Sequence, residues 1–157
     1  MDEIFRLKHP VRLEHVSDAS PTYFLTMCIE NRERVLACDA VADRMRTFVE
    51  GSFSRYGVFV DAWLLMLDHL HLLVSFGSAT ETTLGAWVKA MKRFVSAREF
   101  LWQCGYFDHV LRNDESRSEK WEYIRMNPVR AGLVQEPELW KYAGFYHRVT
   151  GEELPGG

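Results

Sequence analysis

Residues Val58 to Phe76 read VFVDAWLLMLDHLHLLVSF, two extended apolar runs joined through Asp68. Val58 to Leu67 is apolar throughout except for Asp61, and His69 to Phe76 follows directly, a short link that suits antiparallel neighbours. The longest greasy part, Trp63 to Phe76, is broken by Asp68, His69 and His71 and is shorter than the roughly 20 apolar residues that span a bilayer. This stretch therefore reads as two paired strands.

Upstream, Thr22 to Glu30 (TYFLTMCIE) mixes β-branched, aromatic and aliphatic side chains after Ser20-Pro21, as a first strand does. Asp39 to Tyr56 then spaces Val41, Met45, Phe48, Val49 and Phe53 helically and stops at Gly57. Downstream, Thr80, Thr82 or Thr83 is placed to cap a helix from Leu84 to Trp102, with Leu84, Trp87, Val88, Met91 and Val95 as its buried stripe. Tyr106 to Leu111 reads as a short strand, and Asn113 or Asp114 caps a helix holding Trp121, Tyr123 and Ile124 that Asn127-Pro128 interrupts. The order β, α, β, β, α, β, α predicts an α+β sandwich of ferredoxin-like or RNA-recognition-like (RRM-like) type, an antiparallel sheet with helices packed on one face. A chain of 157 residues is one domain's worth, here 1–150, with a flexible C-terminal tail over 151–157.

The composition narrows the function classes. The opening Met1-Asp2-Glu3 has no basic flank leading into an apolar run, so no secretory signal is expected. Three widely spaced cysteines, Cys28, Cys38 and Cys104, give neither a disulfide framework nor a zinc ribbon, and a reducing cytoplasm suits them. The net charge of −3 weighs against nucleic-acid binding, but it is uneven. Leu84 to Val134 holds nine basic and six acidic residues, a balance of +3, which leaves −6 on the remainder. A locally positive face on an acidic protein is thus open. Glycine-rich phosphate loops, paired zinc cysteines and a serine nucleophile elbow are all missing.

His69-Leu70-His71 carries the most chemical information. Side chains alternate along a strand, so both imidazoles share one face while Leu70 and Leu72 enter a core on the other. Two neutral imidazoles so placed can grip one divalent ion; two half-exposed histidines without a ligand fit the same spacing. Tyr123 and Asn127, four apart, share a helix face if both are helical. Tyr123 is either a nucleophile or a packed aromatic, and Asn127 either a ligand or the cap of a second helix beginning at Pro128. Lys89, Lys92 and Arg93 share a helix face that meets either a phosphate backbone or water. Trp102, Tyr106 and Phe107 are candidates for base stacking or core packing, and Asp108, His109 and His147 for acid–base work.

In order and spacing, MLDHLHLLVSF, LGAWVKAMKRFV, YFDHVLR and WEYIRMNPVRAGLV resemble the REP-associated tyrosine transposases. These are single-tyrosine transposases of the insertion-sequence-200 type within the HUH endonucleases, and the resemblance runs from about Pro21 to about His147. It implies an RRM-like sheet with the histidines on a central strand and the catalytic tyrosine on a later helix facing it. It further implies action on single-stranded DNA with hairpin-forming repeats, Mg²⁺ or Mn²⁺ as cofactor, and a 5′-phosphotyrosine intermediate. His69 and His71 match the metal ligands, Asn127 the polar third ligand and Tyr123 the nucleophile; Lys89, Lys92, Arg93, Arg125 and Arg130 are the expected DNA contacts. Where the family commonly has Met-Pro-Asn before the first histidine, this chain has Met66-Leu67-Asp68. An ionised Asp68 would bind metal or repel phosphate, which keeps a cleavage-deficient nucleic-acid-binding module as the alternative. A monomer using its own tyrosine and a homodimer exchanging it are both compatible with the motifs.

Overall fold

A computed structural model describes residues 21–77, 80–111 and 117–146 and the backbone of Glu153–Leu154. The expected caps Asn113 and Asp114, and His147, lie outside the described residues. The elements are β1 (Tyr23–Cys28), α1 (Asp39–Tyr56), β2 (Val58–Leu65), β3 (His69–Phe76), α2 (Leu84–Ser96), β4 (Phe107–Val110), α3 (Arg117–Arg125), α4 (Asn127–Arg130), β5 (Ala143–Tyr146) and β6 (Glu153–Leu154). The antiparallel sheet runs β4-β1-β3-β2-β5-β6, so β3 is central, flanked by β1 and β2. The α+β sandwich expected from the sequence is the one observed. β5 and β6 are additions to it, and β6 gives the expected loose tail a two-residue pairing with β5.

The two sheet faces bury different partners. Tyr23, Leu25, Met27, Leu70, Leu72, Val74 and Phe76 meet Met45, Phe48, Trp87, Met91 and Val95 of α1 and α2 in the main core. On the other face, Leu64, Leu73 and Ala143 meet Trp121 and Ile124 of α3, and Trp121 stacks on Phe145 of β5 at 5.6 Å. The two long helices thus share one side, as the element order predicts, while α3 covers the opposite one. Trp140 pins the approach to β5 by donating from Nε1 to the Leu65 carbonyl at 2.9 Å.

Helix ends follow local chemistry. Gly57 closes α1 in the left-handed conformation (φ 69°) that glycine adopts at least cost. Among the three candidate threonines it is Thr83 that caps α2, its hydroxyl accepting from the Ala86 amide. The expected helix to Trp102 ends early, at Ser96, because Ala97 and Arg98 turn left-handed (φ 46° and 64°). The reversal lays Trp102 back along α2, where its Nε1 donates to the Lys92 carbonyl at 3.0 Å and its backbone bridges to Ile29. Asn127-Pro128 breaks the last helix as expected: α3 stops at Arg125 and α4 begins with the proline in its first turn.

Candidate active site

His69 and His71 stand on β3 opposite Cys28 and Thr26 of β1, on the sheet face that α3 covers. Their rings are 4.8 Å apart, edge to face. Each has its Nδ1 engaged: His69 with Asp68 Oδ1 at 2.7 Å, His71 with Thr26 Oγ1 at 2.9 Å. Neither Nε2 has a hydrogen-bond partner among the described residues. Burial lowers the His71 pKa to about 3, and the neighbouring His69, Lys120 and Arg130 act electrostatically in the same direction. His71 is therefore neutral at ordinary pH, with a lone pair to give. Among the described residues no group of three or more His, Cys, Asp or Glu side chains converges. Two imidazoles with free Nε2 atoms fit a divalent ion whose other positions fall to oxygen donors.

Asp68 is committed to its neighbours. Its Oδ2 accepts from Arg32 Nε at 2.9 Å, and Arg32 also reaches Cys28 Sγ at 2.9 Å. Burial pushes its pKa up, but the hydrogen bonds from His69 and Arg32 outweigh that and hold it below the usual carboxylate value. The isolated negative charge expected beside the site is thus part of an Asp68–Arg32 pair.

Tyr123 is connected to the histidines through a series of contacts. The His71 ring stacks on Phe24 at 5.2 Å, Lys120 Nζ lies 4.6 Å over the Phe24 ring and 5.2 Å over the Tyr123 ring, and the Arg130 guanidinium sits 4.6 Å over Tyr123. The Tyr123 side is outward, half exposed, while Trp121 and Ile124 of the same helix are buried. Asn127 lies at the junction of α3 and α4. Its Nδ2 donates to the Ile124 carbonyl at 2.8 Å and its Oδ1 accepts from Arg130 at 3.1 Å. The expected ligand oxygen is thus engaged by Arg130.

The expected DNA contacts divide. Arg130 is exposed beside Tyr123. Lys92 is a correction: its Nζ turns inward to the carbonyls of Gln103 (2.9 Å) and Gly105, securing the loop before β4. Arg125 pairs with Glu122 (2.9 Å) and Glu138 (3.2 Å) at the surface. Lys89 and Arg93 are exposed, but α2 packs on the sheet face away from the histidines, so they do not join this site. Asp108 stands opposite Leu25 and so shares the α1–α2 side, whereas His109 stands opposite Phe24 on the histidine side. Trp102 and Tyr106 pack in or against the main core.

Lys120, Thr26 and Arg32 were missed from the sequence. Lys120 is three residues before Tyr123, a helical spacing that was available to read. Thr26 needed the β1–β3 register. Arg32 needed the left-handed turn at Asn31 and Arg32 (φ 57° and 54°), which no residue preference announces.

An RRM-like sheet that turns paired histidines towards a tyrosine-bearing helix defines a class of protein. Residues 19–127 match the IS200-like transposase family, a span from before β1 to Asn127. The chain belongs to that family. It is similar to the REP-associated tyrosine transposase of Escherichia coli (strain K12), 23% identical over 131 residues that cover 82% of this chain and 79% of the relative. Among solved structures it is similar to one described as a REP-associated tyrosine transposase bound to a REP hairpin. That likeness has a TM-score of 0.68 at 19% identity, over 91% of this chain and 82% of the other, and is a likeness of fold.

Proposed function

We propose that this protein cleaves and rejoins single-stranded DNA at hairpin-forming repeats, with His69 and His71 holding a divalent ion of the Mg²⁺ or Mn²⁺ kind and Tyr123 as nucleophile. The observation that carries the reading is the shared face: the two imidazoles offer free Nε2 atoms on the side of the sheet that α3, the helix of Tyr123, covers. Hairpin DNA is the first substrate to try because the similar solved structure has a REP hairpin bound. A reducing cytoplasm suits the three free cysteines, and no helix among the described residues is long and apolar enough to cross a membrane.

When bound, the ion supplies Lewis-acid polarisation of the scissile phosphate. Tyr123 Oη attacks phosphorus, so an O–P bond forms as the P–O3′ bond breaks. The phenolic proton passes to solvent and the departing 3′ oxygen takes one up, leaving a 3′-hydroxyl and a 5′-phosphotyrosine. One phosphodiester replaces another, which conserves the energy for rejoining. Lys120 and Arg130 flank the Tyr123 ring and put positive charge where the phosphate gains negative charge. Asn127, whose Oδ1 accepts from Arg130, would supply an oxygen donor as third protein ligand to the ion.

The test is incubation with hairpin-bearing single-stranded DNA and Mn²⁺, resolved on a denaturing gel. A DNA-linked protein band is expected, absent in Tyr123→Phe and in His71→Ala. DNA binding without any such band would replace this reading with the cleavage-deficient module. Cleavage that survives Tyr123→Phe but not His71→Ala would replace it with a phosphodiesterase using water.

A further inference from the structure

We infer that Asp68 is a positioning residue that fixes the tautomer and aim of His69, and that Arg32 holds Asp68 to that task. The inference rests on the reading of His69 and His71 as the metal-holding pair, and it extends that reading to a group beyond the ligands. An ionised carboxylate has acceptors only, and the ion pair with Arg32 keeps Asp68 ionised. Its Oδ1, 2.7 Å from His69 Nδ1, can make that hydrogen bond only if Nδ1 carries the proton. A neutral imidazole protonated at Nδ1 has its lone pair on Nε2, the atom without a partner among the described residues. The carboxylate thus selects the tautomer that can hold an ion through Nε2 and fixes the ring against rotation. Thr26 plays a weaker part for His71, because a hydroxyl both donates and accepts and so does not choose the tautomer.

Two features show that this arrangement is built into the fold. The segment after β1 is fastened across the β2–β3 turn by Ile29 N–H to the Asp68 carbonyl (2.9 Å) and Leu36 N–H to the Leu67 carbonyl (3.1 Å). Arg32 itself sits at φ 54°, a conformation that costs a non-glycine residue energy, and there its Nε meets Asp68 Oδ2 at 2.9 Å. With one oxygen on His69 and the other on Arg32, Asp68 is oriented by both neighbours, and its charge is balanced before a phosphate arrives.

The test uses the full chain and two readouts. Without metal, ¹⁵N imidazole NMR should show His69 protonated at Nδ1, a preference lost in Asp68→Ala. With Mn²⁺ alone, followed by electron paramagnetic resonance, Asp68→Ala should raise the dissociation constant roughly ten- to a hundredfold. Asp68→Asn, which keeps an acceptor oxygen and the side-chain volume, should recover part of that loss, and Arg32→Ala should show a smaller rise than Asp68→Ala. An unchanged His69 tautomer and unchanged Mn²⁺ affinity in Asp68→Ala, alongside lost affinity in His71→Ala, would overturn this inference and leave the metal reading standing. Equal Mn²⁺ binding by the wild type and His71→Ala would overturn both.

Discussion

At the scale of single residues, the His71 pKa of about 3 makes a prediction about acid. Unfolded, its imidazole titrates near pH 6.5, so below that pH the unfolded chain takes up a proton that the folded one refuses. Stability is full above about pH 6.5 and falls as pH drops towards 3, by at most about 1.4 kcal/mol per unit from this group. Urea titrations of metal-free protein between pH 7 and 4.5 should show the loss, and His71→Gln should flatten it; an equally steep decline in the variant would refute the assignment. The alternation of His69 and His71 was legible because strand geometry alone places both rings on one face. The carboxylate of Asp68 was visible too, but its partners were not. Whether it repels phosphate or orients an imidazole depends on Arg32, which arrives through a left-handed turn that the sequence does not mark.

Among the elements, α3 matters most, because it carries Tyr123 across the sheet. Trp121 and Ile124 bury its inner side, and Arg117 at its start pairs with Asp61 of β2 at 3.2 Å. The Asp61 side chain is only 3% exposed and also accepts from Ser75 Oγ at 3.0 Å. Arg117→Ala removes a cation from that carboxylate, and we expect a cost of about 2 kcal/mol, below the roughly 3–5 kcal/mol of fully buried pairs because Arg117 is partly exposed. Calorimetry would read the loss, and a melting temperature equal to that of the wild type would contradict the anchor. Lys92→Met should cost about 2 kcal/mol by removing charged hydrogen bonds to two loop carbonyls, whereas Lys89→Met on the solvent side should be near neutral; equal effects would contradict the inward placement of Lys92. Helical periodicity gave α1 its full extent but overran α2. Its apolar stripe ends at Val95, and the aromatic Trp102 beyond it returns to α2 by chain reversal instead of further turns. β5 was not foreseen: its four residues, AGFY, owe their strand to pairing with β2 and to Phe145 under Trp121.

For the whole molecule, the question is how a chain of net charge −3 meets DNA. The basic residues of the sequence are spread over the molecule: Lys92 turns inward, Arg125 pairs with surface glutamates, and Lys89 and Arg93 lie on the far side from the histidines. Among the described residues the cations over the Tyr123 ring are Lys120 and Arg130. Lys120→Ala and Arg130→Ala should each weaken hairpin binding and reduce the slope of log K against log salt by about 0.7 per lost phosphate contact. Lys89→Ala and Arg93→Ala should leave that slope unchanged in fluorescence anisotropy titrations, and the reverse pattern would move the DNA to the α1–α2 side. The central claim, that Tyr123 takes the phosphate, has a direct measurement in peptide mass spectrometry of the DNA-linked protein. Trypsin should release Trp121 to Arg125, sequence WEYIR, carrying a nucleotide phosphate on Tyr123. Cleaved DNA alongside an unmodified WEYIR peptide, or with the nucleotide on a different residue, would contradict the account.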